Sequence, residues 1–388
     1  MAAQDLSTAE DIIAAAERRV GIEDGERDIL LPNLRALVGA LAADGLMTQA
    51  GRQDSLVLLL RRTCDRLEGL RWCRDYPEIA DEVIDAPLFL TGLPRSGTTA
   101  LQYLFDLDPR FRLIRSWEGQ DPSPPPGADP ASVAQRKADE ELLRKSTVLP
   151  EGFEAIHLMD LDGPEECHMF LEQAYAAAGF HNFLDVPGYV DFLMRELDLE
   201  AAYRVHRRQL QLLQWRSLPR RWALKYPNHV LAMDAIMKVH PDARFVMTHR
   251  DPVQIVGSIS RLTLSLRQLK AKEPLDAHRI GAQMFDFISR HIGRIMDFTD
   301  GPHAARIVHV SYDRLVAEPA RAVQQIHAAL GLDTPVPLLD KMTAWHRRNP
   351  RGARGANPYS LEAFGLDEQA VRDRFAAYIE RFAIPRER

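Results

Sequence analysis

Gly92-Leu93-Pro94-Arg95-Ser96-Gly97-Thr98-Thr99 follows the apolar run Leu88-Phe89-Leu90-Thr91 and precedes a helical stretch, so the order strand, loop, helix is expected. Two glycines five positions apart let such a loop curl until its backbone N–H groups point inward. The helix behind it adds its positive N-terminal end. The product is a cradle for a phosphate. The spacing is that of a nucleoside-triphosphate loop, yet Thr98 stands where a lysine would reach the β- and γ-phosphates. That argues against ATP or GTP chemistry. The cation lies inside the loop instead, as Arg95, which suits a single 5′-phosphate carrying a different transferred group.

A second constellation supports the first. Phe245 to Thr248 reads as a strand, Arg250 ends it, Asp251 can cap the next helix, and Pro252 suits its first turn. Arg250 is thereby expected at the carboxyl edge of a sheet, where open α/β sheets bind ligands. A guanidinium can grip a phosphate with two parallel bonds, and Ser258 on the following helix adds a neutral donor. Arg-Asp-Pro alone is an ordinary capped helix; beside the Gly97 loop it is a second phosphate site. Lys225 closes a further apolar run, Trp222 to Leu224, and can approach from a neighbouring strand end.

These two motifs resemble the nucleotide-binding signatures of the sulfotransferases, which use 3′-phosphoadenosine 5′-phosphosulfate (PAPS). Pro94 to Thr99 is similar to their 5′-phosphosulfate loop, and Phe245 to Pro252 with Ser258 to their 3′-phosphate motif. The resemblance runs from about Pro87 to Phe382 and is closest to a broad bacterial group, through Trp117-Glu118, Leu224 to His229 and Tyr359 to Leu366. It implies transfer of a sulfuryl group from PAPS to a hydroxyl, or less favourably an amine, of a small-molecule acceptor, with 3′-phosphoadenosine 5′-phosphate (PAP) leaving and no metal required. It assigns the nucleotide to Arg95, Ser96, Gly97, Thr98, Thr99, Arg250, Ser258 and Tyr312, and to a closing loop that includes Arg351 and Gly352.

The chemistry is expected from Arg95 and Lys225, which neutralise the leaving phosphate, and from a base. Better-known cytosolic members carry a catalytic histidine two residues after the lysine; here Pro227 fills that place and His229 lies two further on. Glu118, beside Trp117 in a region resembling sulfotransferases with a glutamate base, is the first candidate, because a carboxylate next to an indole is suited to accept an alcohol proton. His229 is the second. Glu165 and Glu166 read as carboxylates in a helix first turn. Ala100 replaces the tryptophan that stacks on adenine in cytosolic members, leaving Tyr312 as a wall for the base.

The elements that must hold these residues follow from the hydrophobic pattern. Apolar runs at Leu88–Thr91, Phe111–Ile114, Trp222–Leu224, Arg244–Thr248 and Ile307–Val310 are mostly separated by helical patterns. The expected fold class is therefore α/β: a parallel sheet with helices on both faces and a P-loop-like phosphosulfate loop. Residues 1–85 read as a helical N-terminal extension, opened by a capping box at Ser7-Thr8-Ala9-Glu10, and residues 86–388 as the sulfotransferase-like domain. The 388 residues carry 49 Lys and Arg against 55 Asp and Glu, with 46% hydrophobic residues, the composition of a folded protein with ample core. The net charge of −6 does not favour a nucleic-acid partner.

Cys64, Cys73 and Cys167 form no metal or disulfide pattern. Neither a secretion signal nor a membrane span is evident, so a cytoplasmic protein is expected, its oligomeric state open. The competing readings are a P-loop kinase and a non-catalytic nucleotide-binding protein with a degenerate site.

Overall fold

The computed structural model describes residues 6–150, 160–218, 220–350 and 359–387. Five parallel strands form one sheet: β1 (Leu88–Gly92), β2 (Phe111–Arg112), β3 (Arg221–Lys225), β4 (Arg244–His249) and β5 (Ile307–Ser311), in the order β2-β3-β1-β4-β5. All five apolar runs became strands, although β2 is only two residues long and sits at an edge. β1 is central, with Leu88, Phe89 and Leu90 opposite Ala223, Leu224 and Lys225 of β3 and opposite Arg244, Phe245 and Val246 of β4.

Side chains alternate between the two sheet faces, as the pleat requires. Phe89, Trp222, Leu224, Phe245 and Met247 enter the larger core, shared with the N-terminal helices and the Leu199–Gln214 helix. Leu88, Leu90, Ala223 and Val246 enter a smaller core on the other face, closed by α4 (Thr98–Asp106) and the helices Pro319–Ala329 and Val336–Arg348. Burial on both faces explains why the inner strands β1, β3 and β4 read as continuous apolar runs rather than as alternating ones.

Helices α1 (Ala9–Val20), α2 (Arg27–Ala43) and α3 (Gln49–Asp75) form the N-terminal region, and their Ile12, Leu34 and Leu67 belong to the same core as Phe89 and Phe245. The capping box is shifted one residue from its expected place: Thr8 Oγ1 accepts from the Asp11 N–H at 3.1 Å, and Asp11 Oδ2 accepts from the Thr8 N–H at 2.9 Å. This register buries Ile12, Ile13 and Ala16 and turns Glu10 outward to Arg35. The loop between α1 and α2 is pinned from below. Asp24 accepts two bonds from Arg66, at 2.6 and 2.5 Å, with both side chains fully buried.

The chain leaves β1 for one side of the sheet and enters β4 on the other, which makes the carboxyl end of β1 a topological switch point. Gly92, Lys225, His249-Arg250 and Ser311-Tyr312 all stand at this rim.

Candidate functional site

The loop after β1 is shaped by two glycines. Gly92 has φ +143, and a Cβ there would lie 2.5 Å from Thr248 Oγ1 and 2.6 Å from its carbonyl oxygen. Gly97 has φ +88 and lies against the Tyr312 ring, where a Cβ would meet Cδ2 at 3.0 Å. Between them Arg95 also takes a left-handed backbone, φ +68, a conformation that costs about 1–3 kcal/mol for a residue with a side chain. Ser96 holds the loop in this form. Its buried hydroxyl donates to the Leu93 carbonyl at 2.5 Å and meets Thr248 Oγ1 at 2.6 Å. The Ser96 side chain therefore binds the loop to β4 rather than facing a ligand. Gly97 caps α4, so the first-turn N–H groups at Thr98 and Thr99, which lack helical acceptors, line the rim.

A cavity of about 480 Å³ opens beside this loop and is lined by Arg95, Gly97, Thr98, Thr99, Lys225, Arg250 and Tyr312. Arg95 donates from Nε to Ser258 Oγ at 3.2 Å. Burial and the neighbouring Arg250 charge push the Arg95 pKa below its usual value. Arg250 donates from Nη1 to the Arg95 carbonyl at 2.7 Å and lies 4.2 Å over the Tyr312 ring. Its Nε and Nη2 grip the two carboxylate oxygens of Glu387 at 2.7 and 3.0 Å. Burial opposes the Arg250 charge, but Glu387 and Tyr312 outweigh it and raise the guanidinium pKa. Tyr312 thus serves as the platform under Arg250, in addition to lining the cavity.

Lys225 ends β3 nearly buried, donates to Thr99 Oγ1 at 3.2 Å and forms an ion pair with Glu166. Glu166 is not in a helix. Residues 164–167 run along the sheet rim: Arg115 pairs with Pro164, the Glu165 N–H donates to the Ile114 carbonyl at 2.8 Å, and the Cys167 N–H donates to the Lys225 carbonyl at 2.9 Å. The helix begins only at His168, whose Nδ1 lies 3.8 Å from Glu166 Oε2. Both Glu166 and His168 line the cavity. The first-turn reading of Glu166 is corrected accordingly.

Neither expected base reaches the cavity. Glu118 lies on α5 (Ser116–Gln120), whose Ser116 and Gln120 face the cavity; two residues from each, Glu118 points the other way. It accepts from Arg112 Nη2 at 2.7 Å and from the Arg115 N–H at 2.9 Å, so it caps the short helix on which it lies. The Trp117 ring is covered by Arg136 at 4.8 Å. His229 is buried in the larger sheet core, its Nδ1 2.5 Å from the Tyr203 hydroxyl and its ring edge-on to Phe89 at 4.9 Å. Burial keeps its pKa well below the usual value, so it is neutral. Its neighbour Asn228, by contrast, lines the cavity and is held by the Tyr226 hydroxyl and His291. Arg351 and Gly352 lie outside the described residues.

The far wall of the cavity is apolar. Ile259, Leu262 and Leu266 project from one face of the Pro252–Gln268 helix, and Leu143, Met169 and Phe183 also line the cavity. The near wall, by Ser116, Gln120 and Glu140, is polar. Nothing in the sequence marked these wall residues, because an apolar stripe on a helix reads equally as core. Among the described residues no three acidic, histidine or cysteine side chains converge as a metal site, and no helix is long and apolar enough to cross a membrane.

Residues 87–336 match the model of the sulfotransferase family. The chain is 24% identical over 273 residues to omega-hydroxy-beta-dihydromenaquinone-9 sulfotransferase Stf3 of Mycobacterium bovis, an overlap of 66% of this chain and 65% of that protein. Sulfotransferase STF9 from Mycobacterium avium superposes with a TM-score of 0.88 at 28% identity, covering 98% of each chain. Sulfotransferase STF1 from Mycobacterium tuberculosis H37Rv gives a TM-score of 0.82 at 30% identity, covering 96% of this chain and 99% of that one.

Proposed function

The chain belongs to the sulfotransferase family, and we propose that it moves a sulfuryl group from PAPS to the hydroxyl of a small molecule with an apolar body. One observation carries the donor assignment: the cations Arg95, Lys225 and Arg250, from three different strand ends, converge with the N-terminus of α4 on one cavity. That arrangement suits a nucleotide with phosphate groups at both ends of its ribose, the 5′ group on the Gly97 loop and the 3′ group at Arg250 and Ser258.

In this reading the acceptor hydroxyl attacks sulfur in line. Its O–S bond forms as the bond from sulfur to the 5′-phosphate oxygen breaks, and PAP departs. Charge builds on that leaving oxygen, where Lys225 and the α4 N–H groups stabilise it. Glu166 takes the hydroxyl proton. It is the carboxylate paired with Lys225 on the cavity wall, whereas Glu118 and His229 face elsewhere. The apolar stripe Ile259, Leu262 and Leu266 holds the rest of the acceptor, and the curated relative named above for an ω-hydroxy substrate supports an alcohol.

The test is incubation with PAPS and a panel of aliphatic alcohols, scoring the gain of a sulfo group by mass spectrometry. Calorimetry should show PAP binding more tightly than AMP, since Arg250 gains a phosphate partner only from PAP. Equal affinities for PAP and AMP would remove the donor assignment.

A further inference from the structure

The nucleotide-binding cations are already occupied by groups of the protein itself. Arg95 donates to Ser258, Lys225 pairs with Glu166, and Arg250 grips Glu387. The last of these is the most specific. Both oxygens of the Glu387 carboxylate accept from Nε and Nη2, the same two-point grip an arginine offers a phosphate. The remaining nitrogen, Nη1, is held by the Arg95 carbonyl, and the Tyr312 ring covers a face of the guanidinium. The pair excludes water: only 10% of the Arg250 side chain and 9% of the Glu387 side chain are exposed.

Glu387 belongs to an irregular stretch beyond the Ala376–Arg381 helix. Its N–H donates to Asp251 Oδ2 at 3.1 Å, and the adjacent Arg386 reaches Glu368 at 2.7 Å on the exposed surface.

We propose that Glu387 is a built-in competitor for the 3′-phosphate, a strap whose carboxylate occupies the Arg250 fork and must leave it when a 3′-phosphorylated nucleotide binds. The proposal rests on the PAPS reading given above. It follows that the strap lowers affinity for PAP and PAPS by the fraction of time it is closed, and leaves AMP untouched. It also follows that the strap discriminates by ligand: only a nucleotide carrying a 3′-phosphate opens it.

The test measures dissociation constants for PAP and AMP on the full chain and on Glu387→Gln, with Glu387→Ala as a second variant and thermal melting as the folding check. Removing the charge should tighten PAP by about tenfold, the size of one hydrogen bond to a charged group, and change AMP by less than about twofold. An unchanged or weakened PAP affinity in a folded variant, or an equal change for both nucleotides, would overturn the strap. Hydrogen exchange on the unmodified protein gives an independent reading: PAP, and not AMP, should speed exchange in residues 384–387. Protection of that segment by PAP would mean that Glu387 is a fixed structural partner. If the unmodified protein fails to prefer PAP over AMP, the donor assignment fails instead, and the two failures are separable.

Discussion

Glu166→Gln keeps the shape of the side chain and removes its charge and basicity. If Glu166 takes the acceptor proton, kcat for an aliphatic alcohol should fall ~10²–10⁴-fold, the usual weight of a positioned general base. That is about 3–5 kcal/mol of barrier. A second effect follows from the ion pair. The Lys225 side chain is 3% exposed, and Glu166, 19% exposed, is its carboxylate partner. Without it a buried ammonium loses its counter-charge, which destabilises the nucleotide-free protein. The phosphosulfate restores that charge when it binds. PAP should therefore bind the variant at least as tightly as the parent and raise its melting temperature by more. The assay is single-turnover sulfo transfer beside calorimetry with PAP. A folded Glu166→Gln protein with kcat within about threefold of the parent would refute the base assignment, and weakened PAP binding would refute the reasoning about Lys225.

The other predictions separate architecture from chemistry. Glu118→Gln should leave turnover per folded molecule nearly intact while destabilising the protein by about 3–5 kcal/mol in denaturant titrations, because it strands the buried Arg112. Leu262→Asn should lower kcat/KM for an apolar alcohol roughly 10–100-fold at unchanged PAP affinity, by wetting the apolar wall; equal losses for a sugar acceptor would count against that wall. Acid should unfold the protein through its buried histidines. His206 and His249 are held down to about 3, and His240 and His291 to about 4, chiefly by burial, against 6.5 in the unfolded chain. Their depressed values mean that the stability is present above about pH 6.5 and lost as pH falls toward 4, each histidine contributing on the order of 1–2 kcal/mol by pH 5. A melting temperature flat between pH 7 and 5 would contradict this.

The fold was legible because its determinants are local. The inner strands β1, β3 and β4 are apolar runs buried on both faces, and each announces itself without knowledge of its partner. The loop after β1 was legible for the same reason: Gly92 and Gly97 act on their own backbone, and the strand before and helix behind are contiguous with them. The N-terminal cap missed by one residue because Ser7-x-x-Glu10 and Thr8-x-x-Asp11 are chemically equivalent alternatives. The burial of Ile12 and Ile13 decides between them, and that is a tertiary fact.

The proposed base, Glu166, was illegible for the opposite reason. Glu118 satisfied every local criterion, a carboxylate after a strand and beside an indole, but a helix as short as α5 presents opposite faces two residues apart. Which face meets the cavity is set by packing against distant chain. Glu166 reaches Lys225 across 59 positions of sequence, by way of backbone bonds from Glu165 to Ile114 and from Cys167 to Lys225. No spacing rule captures such a contact. The sequence did hold one clue, in Pro227. Where better-known members place a catalytic histidine two residues after the lysine, a proline leaves the end of β3 without a base of its own. The segment 164–167 runs past that same strand end, because its amides bond to β3 and to Ile114, two residues beyond β2. On the reading given above, the carboxylate that replaces the histidine comes from a neighbouring segment and meets the same lysine, so the departure at Pro227 and the position of Glu166 are one structural fact.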